Sequence, residues 1–137
     1  MREITDHIVE GDSANHQVKI YVMDEPGAGG ANHVYGIRHI VGKPMDFSQA
    51  LDKHASVTET LHRVEFQNGP IKEVGINGIT NEALIAIVID RLRSFQAGPY
   101  SGRENAVALT HLEDALMWLQ RRTRARIARG VEGTHKA

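Results

Sequence analysis

A chain of 137 residues, 41% of them hydrophobic, is long enough for one modest core and too short for several domains. It has no cysteine, which excludes disulfide scaffolds, thiolate metal sites and cysteine nucleophiles. The net charge of −1 conceals an asymmetry: residues 1–120 hold 10 Lys+Arg against 16 Asp+Glu, a balance of −6, while residues 121–137 hold 6 against 1, a balance of +5. That distribution disfavours a general basic surface for duplex nucleic acid and favours a local anion site near the C-terminal end.

In chain order, the first half reads as short strands between polar turns. Residues 17–23 alternate around Val18, Ile20 and Val22, as a half-buried strand does. Residues 24–30 (Asp24-Glu25-Pro26-Gly27-Ala28-Gly29-Gly30) read as a flexible loop, either a surface linker or a segment that closes over a ligand. A second strand is expected over residues 33–41. Residues 46–56 suit a short helix with Phe47, Ala50, Leu51 and His54 on one face. Residues 57–67 alternate again, and Asn68-Gly69-Pro70 ends them sharply.

The second half is helical. Thr80 is placed to cap a helix of about 17 residues that Gly98-Pro99 stops after Ala97. Residues 83–89 are apolar on nearly all sides, which predicts cover on more than one face. Ser101-Gly102-Arg103-Glu104 has the form of a capping box, and Gly130 stands where a helix ends on glycine. The short link forces the helices antiparallel. The second helix, about 28 residues or roughly 42 Å, then outruns the first, roughly 25 Å long. An overhang rooted in Met117, Trp118 and Leu119 calls for a second chain, most simply a symmetric dimer. The expected fold class is α+β: a small antiparallel β-rich region over 1–76, then an antiparallel two-helix hairpin over 77–137, homo-oligomeric and forming a single compact unit.

Enzyme signatures are missing. Gly27-Ala28-Gly29-Gly30 lacks the lysine and following helix of a phosphate loop, and neither a His-Glu-x-x-His pair nor a nucleophile elbow occurs. Eight histidines are many, but His33 with His39, or His54 with His62, have no recognised ligand spacing. Candidate binding residues lie on the helices instead. Leu109, Leu112, Leu116 and Leu119 form an apolar stripe that Arg122 and Arg126 continue in phase. Two guanidinium forks one turn apart can grip neighbouring phosphates, or simply complement the helix dipole. Phe95 can stack on a base or plug the hairpin tip. Asn105 can read a polar ligand edge or fix register within a helix interface. The residues alone leave these alternatives open.

A resemblance narrows them. Phe66-Gln67-Asn68-Gly69-Pro70-Ile71-Lys72-Glu73-Val74-Gly75-Ile76-Asn77-Gly78, Asn81-Glu82 and Ile89-Asp90-Arg91-Leu92 resemble phage anti-Thoeris proteins of the cyclic ADP-ribose sponge family. So do Phe95-Gln96, Glu104-Asn105-Ala106, Arg121-Arg122-Thr123 and Arg129-Gly130-Val131-Glu132-Gly133-Thr134. The resemblance spans about residues 64–134, and the hairpin is shared with phage anti-CBASS cyclic-nucleotide sponges.

The resemblance implies a binding protein that sequesters a messenger made by bacterial Thoeris immunity and leaves it uncleaved. It implies Phe95 as the stacking aromatic, Asn105 as a polar contact, and Arg122 and Arg126 as phosphate grips, with neither metal nor cofactor. The implied partners are cyclic ADP-ribose isomers, or CBASS cyclic di- or trinucleotides, and further copies of the chain as dimer or hexamer. DNA, RNA and membranes are not among them, and the expected location is the host bacterial cytoplasm. Asn105 and Arg122 stand 17 residues apart on one helix, roughly 25 Å, so one pocket holding all four residues requires two chains. The rivals are a phosphoesterase cleaving the messenger and a small nucleic-acid-binding dimer.

Overall fold

The computed structural model describes residues 1–41 and 58–137. The chain is α+β, with a small antiparallel sheet first and the long helices after it. It divides into two compact units, Met1–Asn68 and Gly69–Ala137.

In the first unit, β1 (Arg2–Ile4), β2 (Val18–Val22), β3 (Val34–Val41) and β4 (Thr58–Glu65) pair in sequence order, each neighbour antiparallel. The register sets Val22 and Val64 on either side of Tyr35, and Ile20 and His62 on either side of Ile37. Side chains alternate along a strand, so these residues share one largely apolar face. Val22 is its best buried member, 4% exposed, and the Tyr35 ring meets Phe66 edge to face at 5.7 Å. The opposite face is charged and pairs its charges locally: Lys19 with Glu3 at 3.7 Å, Arg38 with Glu59 at 2.9 Å, and Arg63 with Glu65. The three longer strands fall inside the expected stretches. β1 was unreadable because three residues carry no period. The helix expected over 46–56 lies outside the described residues.

Two acidic side chains organise the turns. Asp12 caps the short helix α1 (Ser13–His16), accepting from the Ala14 and Asn15 amides at 2.9 and 3.1 Å. Asp24 accepts from the His33 and Val34 amides at 2.9 and 3.1 Å. The glycine-rich loop is a built turn rather than a loose one. Gly27 N–H reaches Ala31 O at 2.7 Å, Gly30 N–H reaches Gly27 O at 3.0 Å, and Ala28 N–H reaches the Asn68 side chain at 3.2 Å. Gly29 and Gly30 take φ of +73° and +76°, where a side chain would be strained.

The second unit holds α2 (Ile71–Val74), α3 (Asn81–Ala97) and α4 (Arg103–Ala128). Thr80 caps α3, its Oγ1 accepting from Ala83 N–H at 3.1 Å. The capping box expected at Ser101 does not form. Gly102 is the cap and has no side chain to bond an amide; its own N–H donates to the Gln96 side chain at the end of α3 at 3.0 Å. That bond closes the hairpin link and leaves Ser101 outside the helix. At the far end Gly130 (φ +71°) forms a Schellman turn, Val131 N–H reaching back to Arg126 O and Gly130 N–H to Ile127 O, both at 3.0 Å.

With 17 and 26 residues, the helices are roughly 25 and 39 Å long, so α4 outruns α3 by nine residues. Arg93 and Glu113 pair across the hairpin at 2.9 Å. Only Ile89 of α3 is buried, at 2% exposure, while Ile87 and Val88 face outward. Within the unit the apolar run 83–89 is covered on the side that faces α4. Among the described residues, no helix is long and apolar enough to cross a membrane.

Candidate functional site on the helical hairpin

The two ends of the hairpin present different chemistry. Phe95 lies in the last turn of α3, 40% exposed, with the Arg91 guanidinium 5.6 Å from its ring centroid. The i, i+4 spacing of Arg91 and Phe95 puts cation and ring on one surface. Asn105 is the third residue of α4 and is half-buried. The structure thus brings Phe95 and Asn105 to the same end, on either side of the link that Gln96 closes.

Arg122 and Arg126 belong to the other end, roughly 25 Å from Asn105 along α4. They are one turn apart, yet their surroundings differ. Arg122 is exposed, and among the described residues no carboxylate pairs with it. Arg126 is 11% exposed at its side chain and enclosed by the C-terminal segment. Its Nε donates to Glu132 at 3.1 Å, Nη1 to Lys136 O at 2.7 Å, and Nη2 to Val131 O and Thr134 O, both at 3.0 Å.

Arg126 therefore holds the turn after α4 in place. The same segment is fastened from its other side: Lys72 N–H donates to Gly133 O at 2.9 Å, and His135 pairs with Glu73. A guanidinium has five N–H donors in a planar fork. To grip a phosphate with two of them, Arg126 must exchange carbonyl acceptors for phosphate oxygens. Arg122 needs no such exchange. Sequence spacing made the two arginines equivalent; the Glu132 carboxylate and three backbone carbonyls separate them.

Two further aromatic–guanidinium contacts escaped the sequence reading. One is Arg91 on Phe95. The other is Arg121, 5.0 Å above the ring of Trp118, which is 54% exposed. The signal was present in both cases, as i, i+4 and i, i+3 spacings of Arg with an aromatic residue.

The first unit offers less. The glycine-loop amides of residues 27, 28 and 30 are bonded within the unit and are not presented to a phosphate. Burial works to raise the Asp24 pKa, but the His33 and Val34 amides outweigh it and hold the carboxyl below its usual value near 3.8. His39 and His62 stack at 4.9 Å. Among the described residues, no three His, Cys, Asp or Glu side chains are grouped to hold a metal ion; His54 lies outside them.

Residues 59–124 match the model of the Acb2/Tad1 hairpin domain, a stretch that takes in all of β4 but Thr58, with Phe95, Asn105 and Arg122, and stops short of Arg126. The chain is also similar to Thoeris anti-defense 1 of Bacillus phage SBSphiJ7, 58% identical over 76 residues. That stretch is 56% of this chain and 54% of the phage protein, so it spans about half the length of that relative.

Proposed function

We propose, from the match of residues 59–124 to the Acb2/Tad1 hairpin domain and the likeness to a phage anti-defence protein, that the chain is a phage anti-defence protein that binds a cyclic ADP-ribose-type messenger of Thoeris immunity and withholds it, uncleaved, in the host cytoplasm. The observation that carries this reading is the division of the hairpin into an aromatic–amide end and an arginine end. Phe95 offers a ring for a base and Asn105 a polar edge, while Arg122, which no carboxylate among the described residues pairs with, offers its charge for phosphate.

The two ends are too far apart for one small cyclic nucleotide to touch both on a single chain. A pocket using all of them is shared, with Phe95 and Asn105 from one subunit facing Arg122 of the next. Symmetry then gives two equivalent pockets per dimer. The exposed Ile87, Val88, Val107 and Met117 supply apolar surface for such an assembly. Withholding a messenger from its sensor asks for nanomolar affinity, about −12 kcal/mol, which stacking, charge-assisted hydrogen bonds and enclosure together can supply.

The test is calorimetric titration with cyclic ADP-ribose isomers and cyclic di- and trinucleotides, followed by heat release and chromatography of the ligand. Tight binding near one site per chain, with cyclic ADP-ribose recovered intact, is expected. Recovery of a cleaved product would make the protein a phosphoesterase, and preference for a cyclic oligonucleotide would move it to the other class of sponge.

A further inference from the structure

Trp118 is the only tryptophan of the chain and stands 54% exposed on α4. Arg121 covers one side of its indole, the guanidinium 5.0 Å from the ring centroid. Arg122 follows one helical turn on, at i+4, so it and Trp118 point to the same side of α4. Among the described residues, no carboxylate forms an ion pair with Arg121 or Arg122. One surface of the helix therefore joins a large flat ring to two uncompensated cations. That combination suits a planar base linked to phosphates, since stacking tolerates any base and the guanidiniums select for anions.

We propose that Trp118 is a second stacking wall of the messenger site, contributed by the subunit that contributes Arg122. The base lies on the indole face that Arg121 leaves open while Arg122 holds the phosphate. In the shared pocket Phe95 then comes from one chain and Trp118 from the other, so both subunits grip the nucleotide through an aromatic ring. This assignment rests on the sequestration reading and adds to it the residue that contacts the base from the arginine side.

Because Trp118 is the sole indole, its fluorescence reports on this position alone. In the wild-type protein the emission should be that of a water-exposed indole, and cyclic ADP-ribose should quench it saturably with the midpoint found by calorimetry. Trp118→Leu should weaken the calorimetric affinity about tenfold, the scale of one base–aromatic stack, and Trp118→Phe should retain most of it. Neither variant should change the sedimenting size. Calorimetric binding with unchanged fluorescence and a fully active Trp118→Leu variant would remove Trp118 from the site and leave the sequestration reading standing. Blue-shifted emission that moves red on dilution, with Trp118→Leu dissociated, would make Trp118 a subunit contact and overturn the assignment. No calorimetric binding by the wild-type protein would overturn both.

Discussion

The sheet unit and the hairpin unit differ in what their cations face, although the hairpin too has ion pairs, at Arg93–Glu113 and Arg126–Glu132. On the sheet, Lys19, Arg38 and Arg63 each have a carboxylate on the same face, and Asp12 and Asp24 spend theirs on backbone amides. Such pairs are solvated and contribute little, at most about 1 kcal/mol each, and each offsets its cation locally. On the hairpin Arg91 and Arg121 lie on aromatic rings, and Arg122 and Arg124 have no carboxylate partner among the described residues. The contrast is the basis for placing the proposed binding on the hairpin, and within that unit it separates Arg122 from Arg126.

Four changes would break or sharpen that contrast. The largest effect is expected from Arg126→Ala. It strands the Glu132 carboxylate and three carbonyls that the guanidinium now satisfies. A loss of about 3 kcal/mol of stability of the second unit is expected in denaturant unfolding, with early amide exchange over 131–136. Messenger affinity should fall as a consequence.

Arg122→Ala should do the reverse, weakening messenger binding by about 2 kcal/mol in calorimetry while leaving the unfolding midpoint within experimental scatter. If both variants lose stability equally, the distinction between a structural and a binding arginine is wrong. Gly130→Ala tests the turn that delivers the C-terminal segment to Arg126. At φ +71° the added Cβ should cost about 1 kcal/mol, read as a lower melting temperature. On the sheet, Arg63→Gln should shift stability by no more than about 0.5 kcal/mol, because its pair is exposed.

The acidic turns add a pH dependence to the first unit. For Asp12 the Asn15 side chain, then the Asn15 amide, hold the carboxyl below its usual value, and for Asp24 the His33 and Val34 amides prevail over burial. A carboxyl whose folded pKa is depressed stabilises the fold above its unfolded value and loses that contribution as pH falls through the folded one. On acidification below about pH 4, the amides of Ala14, Asn15, His33 and Val34 should lose exchange protection before those of α3 and α4. Equal loss in both units would remove these carboxylates as the cause.

The sequence by itself, though silent on the short helices α1 and α2, determined three of the four described strands, the hairpin and its unequal arms. Those follow from local rules: alternation of Val18, Ile20 and Val22, the Thr80 cap, the Gly98-Pro99 stop and the Gly130 turn each act within a few residues. The axial distance between Asn105 and Arg122 was legible too, since helix rise is constant; it is why the proposed pocket is drawn between two chains. What the sequence could not give were facts that depend on residues distant in the chain. The Gln96 side chain ties down the Gly102 amide where α4 begins on Gly102 rather than on Ser101, and α4 packs against α3 while Ile87 and Val88 stay exposed. The segment after Gly130 folded back onto Arg126 but left Arg122 in water. Spacing fixes where a side chain starts on a helix; which partners reach it is decided only when the rest of the chain has folded around it.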